Sequence, residues 1–590
     1  MASLYKKVIS GKPYWYLREM ARVDGKPKMV SERYLGSAAD IEALLEAREG
    51  ATTPARTRHL GFGDVAAVWD TLERLEVIGV IDTVVGARRS DAGASVGSYL
   101  ALAALNRVVA PRSKLAFADW WKTTAADRFA KITPAVLDHR RFWDAMHAVT
   151  LEELVEIEQQ LALRMIEVFD LDISALALDM TNFATYIDSG NAKAPIAQRG
   201  KAKQKRADLR LVGLGLVVTR DGGVPLVAHA YPGNRPDVTQ FATMIDLLSN
   251  RHTALATRVH GTAATAALAA TAATAGTAVT AGTPSQADLT VVFDAGQNST
   301  ANFQHLLDAG LAFIGSIPPS DCPDLLALPA SDRALVDPDR FGGLTALETR
   351  RVVYGLERRV ILTHSPTLHA AQQAGFVQTL AKALAKLTDL AQTLARGKTR
   401  RSTVKVTADI TAITADPWLR RVVHCELTGD TPAEHRLTVT VDTQAQDALE
   451  TEVFGKRILL TARRDWTIAD VVAGYRSQSD AEFSFRQLKD PHVVSFSPMH
   501  HWTEHNIRVH TFTCVLALQI AHLMRREAQR AGQHLSVPAL LEQLAGIIET
   551  VLIYPSTGGR PKARRMLTET THTQDQLSKI FNLARWAPRT

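Results

Sequence analysis

The spacing of hydrophobic residues changes along the chain, and the first two patterns predict strands and then helices. Residues 1–40 carry an extended aromatic run at Lys12–Tyr16 and a hairpin signal at Asp24–Lys26. Residues 41–170 instead repeat apolar side chains at helical spacing. We therefore predict a basic β-hairpin segment followed by a helical domain. Both segments contain clusters of Arg and Lys that suit DNA binding. A solvated hairpin fits the first segment equally well, and ordinary helix packing fits the second.

From residue 171 the pattern changes to short apolar runs separated by helices. A stretch rich in Ala, Thr and Gly, at about residues 255–287, interrupts them, and its composition predicts an insertion that carries no chemistry. Residues 171–320 are therefore predicted to form the first part of an α/β core. Its elements are strands at Ile173–Asp179, Leu209–Thr219, Val224–Tyr231, Leu289–Asp294 and Leu311–Ile317, with helices at Pro236–Leu248 and Ser299–Asp308.

Residues 321–465 break this alternation and predict a mostly β insertion domain. One amphipathic basic helix, Ala370–Arg396, lies among several strand-like runs, at Arg351–Tyr354, Val360–Thr363, Val404–Val406, Leu437–Val441 and Arg457–Leu460. The core is predicted to resume over residues 466–530, and residues 531–590 to form a helical, basic C-terminal tail.

One segment of the resumed core, Tyr475–Lys489, carries polar residues in a regular order. Read as a single helix, it places Tyr475, Glu482 and Lys489 seven residues apart, on one stripe. The neighbouring stripe is apolar at the spacing of a core-facing surface. A hydroxyl, a carboxylate and an ammonium beside a buried face suit a site that handles a metal and a phosphate. A plain surface helix is the alternative interpretation.

Two further acids end predicted strands. Asp179 ends the first strand of the core and Asp294 the fourth, and three strands, a helix and a fourth strand are the beginning of a ribonuclease-H-like fold. In that fold the first and fourth strands are neighbours, so the two acids approach each other and a helix can add Glu482. Three carboxylates repel one another unless a cation lies between them, and their hard oxygens suit Mg²⁺. Each aspartate alone also fits a turn residue or a helix cap.

Composition narrows the class of protein. At 590 residues the chain is long enough for about three or four domains, and its net charge of +7 is compatible with nucleic acid. Its three cysteines form no CxxC pair, which argues against a disulfide framework and a structural zinc site. The N-terminal residues lack the apolar run of a secretory signal, and no apolar stretch predicts a membrane span.

The helix residues fit a family signature. The transposases of bacterial insertion sequences with a DDE-type ribonuclease-H-like core and a β insertion domain carry Tyr, Arg, Glu and Lys at fixed spacing. The chain resembles this family at Tyr475, Glu482 and Lys489, but Gln478 stands at the position of the Arg, with Arg476 two residues earlier. The resemblance covers roughly residues 1–530, through segments at Pro111, Ser113-Lys114, Leu178–Asn182, Gly200–Leu209, Pro225-Leu226, Tyr231–Asn234, Phe293–Gly296, Asn302, His501–Glu504 and Ile507–His510.

The resemblance implies a chemistry and a set of partners. Asp179, Asp294 and Glu482 would hold two Mg²⁺ ions, or Mn²⁺, which activate water to nick a transposon end and then the freed 3′-hydroxyl for strand transfer. Tyr475, Arg476 or Gln478, and Lys489 would hold the phosphate beside the cut, and Trp466 would stack on an unpaired base or pack in the core. The partners would be terminal inverted repeats, target DNA and a second copy in a homodimer. The location would be the nucleoid of a bacterial cytoplasm, without a membrane.

Two other functions fit parts of the pattern. A catalytically silent DNA-binding repressor descended from such an enzyme would account for Gln478 in place of Arg. It would not account for three mutually repelling carboxylates. A ribonuclease-H-like nuclease of another kind, such as a resolvase, is disfavoured by the long insertion between the second Asp and the Glu.

Overall fold

A computed structural model describes residues 2–23, 25–43, 45, 53–87, 93–202, 208–253, 289–398, 401–555 and 563–589. The chain forms two compact units. One contains Met1–Val149, Pro491–Val494 and Leu523–Thr590, and the other contains Thr150–Asp490 and Ser495–His522. Asp24, the whole Ala/Thr/Gly-rich stretch and the basic stretch at residues 556–562 lie outside the described residues.

The strands, numbered in chain order, are β1 Ala2–Ile9, β2 Lys12–Val23, β3 Lys26–Gly36, β4 Arg56–Gly61, β5 Ala175–Thr185, β6 Arg210–Thr219, β7 Pro225–Pro232, β8 Thr290–Val292, β9 Ala312–Ile317, β10 Ala334–Leu335, β11 Thr345–Val353, β12 Leu356–His364, β13 Val423–Thr428, β14 Arg436–Val441, β15 Lys456–Thr461, β16 Ile548–Ile553 and β17 Ala563–Leu567.

The α-helices are Gly63–Arg74, Val77–Val85, Val96–Val109, Phe117–Trp121, Asp127–Ala130, His139–His147, Leu151–Phe169, 241–253, Thr300–Asp308, Pro323–Leu326, Pro366–Ala395, Thr403–Ile413, Pro417–Val422, Thr443–Val453, Ile468–Arg476, Gln478–Leu488, Glu504–Arg530, Val537–Ala545 and His572–Ile580.

A nine-stranded mixed sheet is the framework of the second unit. Its order is β10-β11-β12-β15-β9-β8-β5-β6-β7. β5 pairs in parallel with β8 and β8 with β9, whereas β5 and β6 and then β6 and β7 are antiparallel. The first and fourth strands of the predicted core are therefore neighbours, as the sequence predicts, and the fold class is mixed α/β.

The centre of this sheet is covered on both faces, which explains its apolar sequence. Every residue of β6, RLVGLGLVVT, is buried. Two glycines in it make room for large neighbours: a Cβ on Gly213 would lie 2.2 Å from the ring of Tyr231, and one on Gly215 would lie 2.8 Å from the sulfur of Met244. Close packing of these side chains fixes the register of β6 against its neighbours.

The segment predicted as a mostly β insertion is mixed. Helices account for more of residues 321–465 than strands do, and the longest element is the 30-residue helix Pro366–Ala395. The predicted strand Val404–Val406 lies inside helix Thr403–Ile413, because a short V-x-V run fits either period. β11, β12 and β15 join the main sheet, whereas β13 and β14 pair with each other and pack in a separate core with the long helix.

The first unit differs from the sequence prediction at its C-terminal part. Residues 531–590 contain helices Val537–Ala545 and His572–Ile580, which the prediction of a helical tail includes. They also contain β16 and β17, which it does not, and these form a three-stranded sheet with β4, in the order β17-β16-β4. The buried carboxylate of Glu549 on β16 bonds to Arg128 and Arg565. In the N-terminal residues, β1, β2 and β3 form a separate sheet, which confirms the predicted strands there.

Among the described residues, helix Glu504–Arg530 is long and apolar enough to cross a bilayer by length and composition alone. However, 94% of its most apolar 18-residue window is buried inside the protein. Its apolar residues therefore serve packing within the fold.

Candidate active site

Both predicted aspartates lie where β5 pairs with β8 in the main sheet. We call the line of side chains across the strands at this point the aspartate row. The two strands pair in parallel with Ala175 beside Thr290, an offset of 115 residues (290 − 175 = 115). Asp294 follows Asp179 by the same offset (294 − 179 = 115). Continuing this register places the aspartates side by side on strands that lie about 4.8 Å apart, with their side chains on the same face.

Asp294 lies just beyond β8 and is held there by three donors to one oxygen. Its Oδ1 accepts hydrogen bonds from the backbone N–H of Ala295 (2.8 Å), the hydroxyl of Ser316 on β9 (2.9 Å) and the hydroxyl of Tyr475 (3.2 Å). It also caps a short 3₁₀ turn, Ala295–Gln297, so the helix-cap interpretation is correct for its backbone contact. The two hydroxyls are long-range contacts that a cap does not need, and they fix the carboxylate on the row.

Tyr475 is buried beside this carboxylate and remains a hydrogen-bond donor to it. Burial raises the pKa of its hydroxyl above the ordinary value, and the charge on Asp294 raises it further, whereas Arg457 and the Ser316 hydroxyl oppose the shift. The hydroxyl is therefore protonated at neutral pH and donates to Asp294. Tyr475 is brought to the site as predicted, with a direct contact to an acid.

The segment predicted as one helix is two. Helix Ile468–Arg476 ends before Ser477, and helix Gln478–Leu488 follows it. The Ser477 hydroxyl donates to the carbonyl of Gly474 at 2.6 Å, so the side chain takes up a carbonyl that a continuous helix would use. Tyr475 and Glu482 consequently lie on different helices, and the single stripe inferred from seven-residue spacing is wrong.

Gln478, at the family's Arg position, faces the sheet. Only 7% of it is exposed, and its Nε2 donates to the carbonyl of Leu178, the residue before Asp179, at 3.0 Å. Its amide oxygen is buried without a hydrogen-bond partner among the described residues. Gln478 therefore ties the second helix to the strand that carries the first aspartate.

Lys489 also reaches the face that carries Asp179. It follows the second helix, and its Nζ donates to the hydroxyl of Thr181 at 2.8 Å and lies 5.6 Å from the ring of Phe183. Thr181 is two residues beyond Asp179 on β5 and on the same face, about 7 Å along the strand. The structure thus brings an ammonium group next to the aspartate row.

Glu482 is exposed on the second helix, one turn after Gln478. In the part of the chain that the structure describes, its carboxylate makes no hydrogen bond or ion pair. No three His, Cys, Asp or Glu side chains among the described residues lie close enough to hold one metal ion. The fold therefore pairs Asp179 with Asp294 through the register but does not draw Glu482 into one ligand group with them.

A cavity of about 460 Å³ opens on the far side of Tyr475. It is lined by the arginines at positions 340, 457 and 476, by Phe341 and by several hydroxyl side chains. The guanidinium of Arg476 lies 4.6 Å from the centre of the Phe341 ring. A cluster of guanidinium groups beside a tyrosine ring is a suitable environment for phosphate oxygens.

Trp466 is half-buried beside the first helix. A Cβ on Gly474 would lie 3.1 Å from its ring, and the guanidinium of Arg463 lies 5.3 Å from the ring centre. Its packing against Gly474, the neighbour of Tyr475, accounts for the tryptophan without a ligand. Stacking on a base stays a prediction.

The paired aspartates fit a hard divalent cation by the chemistry of their donors. Their carboxylate oxygens are the ligands that Mg²⁺ prefers, and Mn²⁺ accepts them too. The amide oxygens of Gln478 and Asn298 are buried without a hydrogen-bond partner among the described residues. The Nδ2 of Asn298 donates to the carbonyl of Ser316.

Sequence reasoning missed Ser316. It lies on β9, beside Asp294 in the row, and its hydroxyl bonds to the carboxylate. A signal was present, because Ser316 is a polar residue in an otherwise apolar strand, AFIGSI.

No family model matches the sequence, and no curated protein matches it. Among solved structures, the chain is similar to piggyBac transposase in a synaptic complex with hairpin DNA, with 8% identity over 89% of this chain and 82% of that chain and a TM-score of 0.35. A score of that size does not establish a common fold or function.

Proposed function

We propose that the protein is a DDE-type transposase that cuts and joins DNA at the ends of an insertion sequence with Mg²⁺ or Mn²⁺. Its core is ribonuclease-H-like, and Asp179, Asp294 and Glu482 are its metal ligands. Its substrates are terminal inverted repeats and target DNA, which it acts on as a homodimer in a bacterial cytoplasm.

One observation carries this proposal: β5 and β8 pair in parallel at an offset of 115 residues, and Asp294, two residues past the end of β8, follows Asp179 by the same offset. The strand order β7-β6-β5-β8-β9, with the first three antiparallel and the last three parallel, is the arrangement in which two such acids meet. Tyr475, Gln478 and Lys489 all contact these strands or the aspartates from the helices that follow the insertion. Chance placement of the signature residues would not bring them to one face.

One group of residues would position the acids, and another group would bind the phosphate. Tyr475 and Ser316 hold the Asp294 carboxylate in place, and Gln478 holds the helix that carries Glu482 against β5. Lys489 supplies a point charge for a phosphate beside the acids, and Arg476 lines the cavity through which the strand would run. A Mg²⁺ ion bound by the acids would supply Lewis acidity to the phosphate and to the attacking water.

Glu482 would complete the site by a change in the rotamer of its exposed side chain, while its helix stays packed on the sheet. Two carboxylates that approach a bound cation attract it more strongly than they repel each other, so a bound cation would favour closer approach of an exposed third acid. Its exposure and lack of a bonding partner among the described residues leave it available for that movement.

The same lack of a three-acid group favours a second candidate, the silent DNA-binding repressor. Such a protein would bind the inverted repeats through the same basic surfaces and would leave them uncut. Cleavage separates the two functions.

The test uses the full chain and labelled DNA that carries the inverted repeats flanking its coding region. We expect Mg²⁺-dependent nicking at the repeat ends by the wild type. Asp294→Asn should abolish nicking while DNA affinity stays similar or rises, since a negative charge is removed near phosphate.

A matched control is Asp389→Asn, which removes an exposed carboxylate from helix Pro366–Ala395. It should cut like the wild type. Binding without cleavage by the wild type, over a range of Mg²⁺ and Mn²⁺ concentrations, would contradict the transposase proposal and support the repressor.

A further inference from the structure

The N-terminal sheet of β1, β2 and β3 has one face formed largely by tyrosines. The pairing places Tyr5 opposite Tyr16 and Tyr16 opposite Tyr34, and Tyr14 lies two residues from Tyr16 on the same side. The ring of Tyr34 is 5.2 Å from that of Tyr16 and 6.0 Å from that of Tyr14. The rings of Tyr14, Tyr34 and Tyr16 are therefore in contact, and Tyr5 lies opposite Tyr16 on the same side. We call this surface the tyrosine face.

Cationic groups lie on the same face. The guanidinium of Arg18 is stacked 3.4 Å from the centre of the Tyr5 ring, and the Nζ of Lys7 is 5.9 Å from that of Tyr16. Residues 1–36 contain eight Lys and Arg against three Asp and Glu, a net charge of +5 (8 − 3 = 5) out of +7 for the whole chain. The sheet therefore attracts polyanions out of proportion to its length.

The tyrosine face is exposed to solvent. Tyr34 is 55% exposed and Tyr5 is 39% exposed, although aromatic rings that serve a core are normally covered. In a core these rings would pack against aliphatic side chains, whereas here they contact one another and two cations.

We propose that the tyrosine face binds single-stranded DNA, with bases stacked on the tyrosines and backbone phosphates paired with Lys7. Arg18 is already paired with the carboxylate of Glu32, at 3.2 Å. Unpaired bases expose the flat surface that an aromatic ring recognises, and a duplex hides it. The charge complementarity of the sheet supplies the attraction to the backbone. The choice of DNA over RNA rests on the proposed function, but the stacking surface and its charge do not depend on it.

The strand β1 offers a matched pair of variants. Lys7 projects onto the tyrosine face, and its neighbour Lys6 projects onto the opposite face, because side chains alternate along a strand. Lys7→Ala and Lys6→Ala remove the same charge from the same exposed strand. Only the first should weaken binding of a fluorescently labelled oligonucleotide of about 12 nucleotides to the full-length protein, and it should lower the salt slope by about 0.7.

The second pair of variants tests stacking. Tyr34→Phe keeps the ring and should bind like the wild type, whereas Tyr34→Leu keeps an apolar strand residue without a ring. We expect Tyr34→Leu to weaken single-strand binding about fivefold or more and to change binding of the matching duplex less than twofold. Equal thermal transitions of the two variants would exclude misfolding as the cause.

Several results would overturn the proposal. Equal losses from Lys6→Ala and Lys7→Ala would remove the face specificity, and parallel losses for single strand and duplex would remove the stacking. Tighter binding of an RNA of the same sequence would overturn the assignment to DNA. Because these measurements use no cleavage, they stand apart from the test of the proposed catalytic function.

Discussion

Two sheets carry candidate functions, and they differ in what surrounds them. The nine-stranded sheet is covered on both faces at its centre, and the polar residues there include groups bonded to one another, as Asp294 is to Ser316 and Tyr475. The N-terminal sheet is exposed along almost all of β1 and β3, and its polar residues are many. Burial holds a few chemical groups in one geometry, whereas exposure presents many groups to a partner.

The comparison teaches where each kind of function is encoded. In the buried sheet, function depends on register, because a shift of one residue would move Asp179 to the opposite face. In the exposed sheet, function depends on composition and on which face a residue occupies. Substitutions in the buried sheet should change DNA cleavage or stability, and substitutions in the exposed sheet should change DNA binding.

The largest effect is expected at the buried sheet. Asp179→Asn should lower DNA cleavage by more than about 100-fold, the upper range for groups that only support a metal ligand. Its single-strand binding should match that of the wild type, because the tyrosine face is untouched. Cleavage and anisotropy assays on the same preparation measure both, and a parallel loss of binding would break the comparison.

The two sheets should also differ in how strongly a substitution lowers the free energy of unfolding. Phe313 on β9 is fully buried against Phe293 and Phe303, so Phe313→Ala should lower the free energy of unfolding by about 3–5 kcal/mol. Tyr34→Leu on the exposed sheet should change it by about 0.5 kcal/mol or less. Chemical denaturation of the full chain measures both, and equal losses would show that the tyrosine face is part of a core.

A buried acid outside both sheets tests the effect of burial alone. Burial raises the pKa of Asp64 from 3.8 to about 6. The folded state then holds a proton that the unfolded state releases, so stability is lost as pH rises from about 4 to 6. Asp64→Asn should therefore raise stability at pH 8 by about 2–3 kcal/mol.

The gain from Asp64→Asn should shrink as the pH falls toward 4, which calorimetry at several pH values will show. The matched control is Asp119→Asn, which removes an exposed carboxylate from the same unit. A gain that does not depend on pH would mean that the amide acts by packing.

The smallest effect is expected from Ser316→Ala, which removes one of three donors to Asp294. Cleavage should fall about tenfold, in the range for groups that orient a ligand, and part of it should return at higher Mg²⁺. Direct titration of the ion by calorimetry should show weaker binding. The neighbouring substitution Ser320→Ala, at an exposed serine, should leave both measurements unchanged.

Local patterns predicted most of the main sheet and part of the site. The runs that became β5, β6, β7, β8 and β9 each carry their own period, so Asp294 could be assigned to a strand end. The prediction that Asp179 ends its strand was wrong, because β5 continues past it to Thr185. The break at Ser477 was missed, because a serine inside an amphipathic pattern is compatible with a continuous helix. The contacts of Ser316 and Gln478 depend on which strands are neighbours, and no local pattern contains that information.

Long-range pairing was the other source of error. β4 and β16 are almost 500 residues apart in sequence, and neither is long enough to predict a sheet by itself. The insertion was predicted as mostly β because its strands have clear alternation, whereas its later helices have short, mixed patterns. Both errors concern tertiary context that overrides local preference.

The carboxylate of Asp294 assigns different tasks to its two oxygen atoms. All hydrogen bonds that the described residues make to it end on Oδ1, so this atom anchors the group to the protein. An arriving cation can therefore take Oδ2 without breaking the anchor, and the orientation of that atom is set before the ion arrives. The side chain of this metal ligand therefore loses its conformational entropy during folding, and the ion meets a carboxylate whose orientation is already fixed.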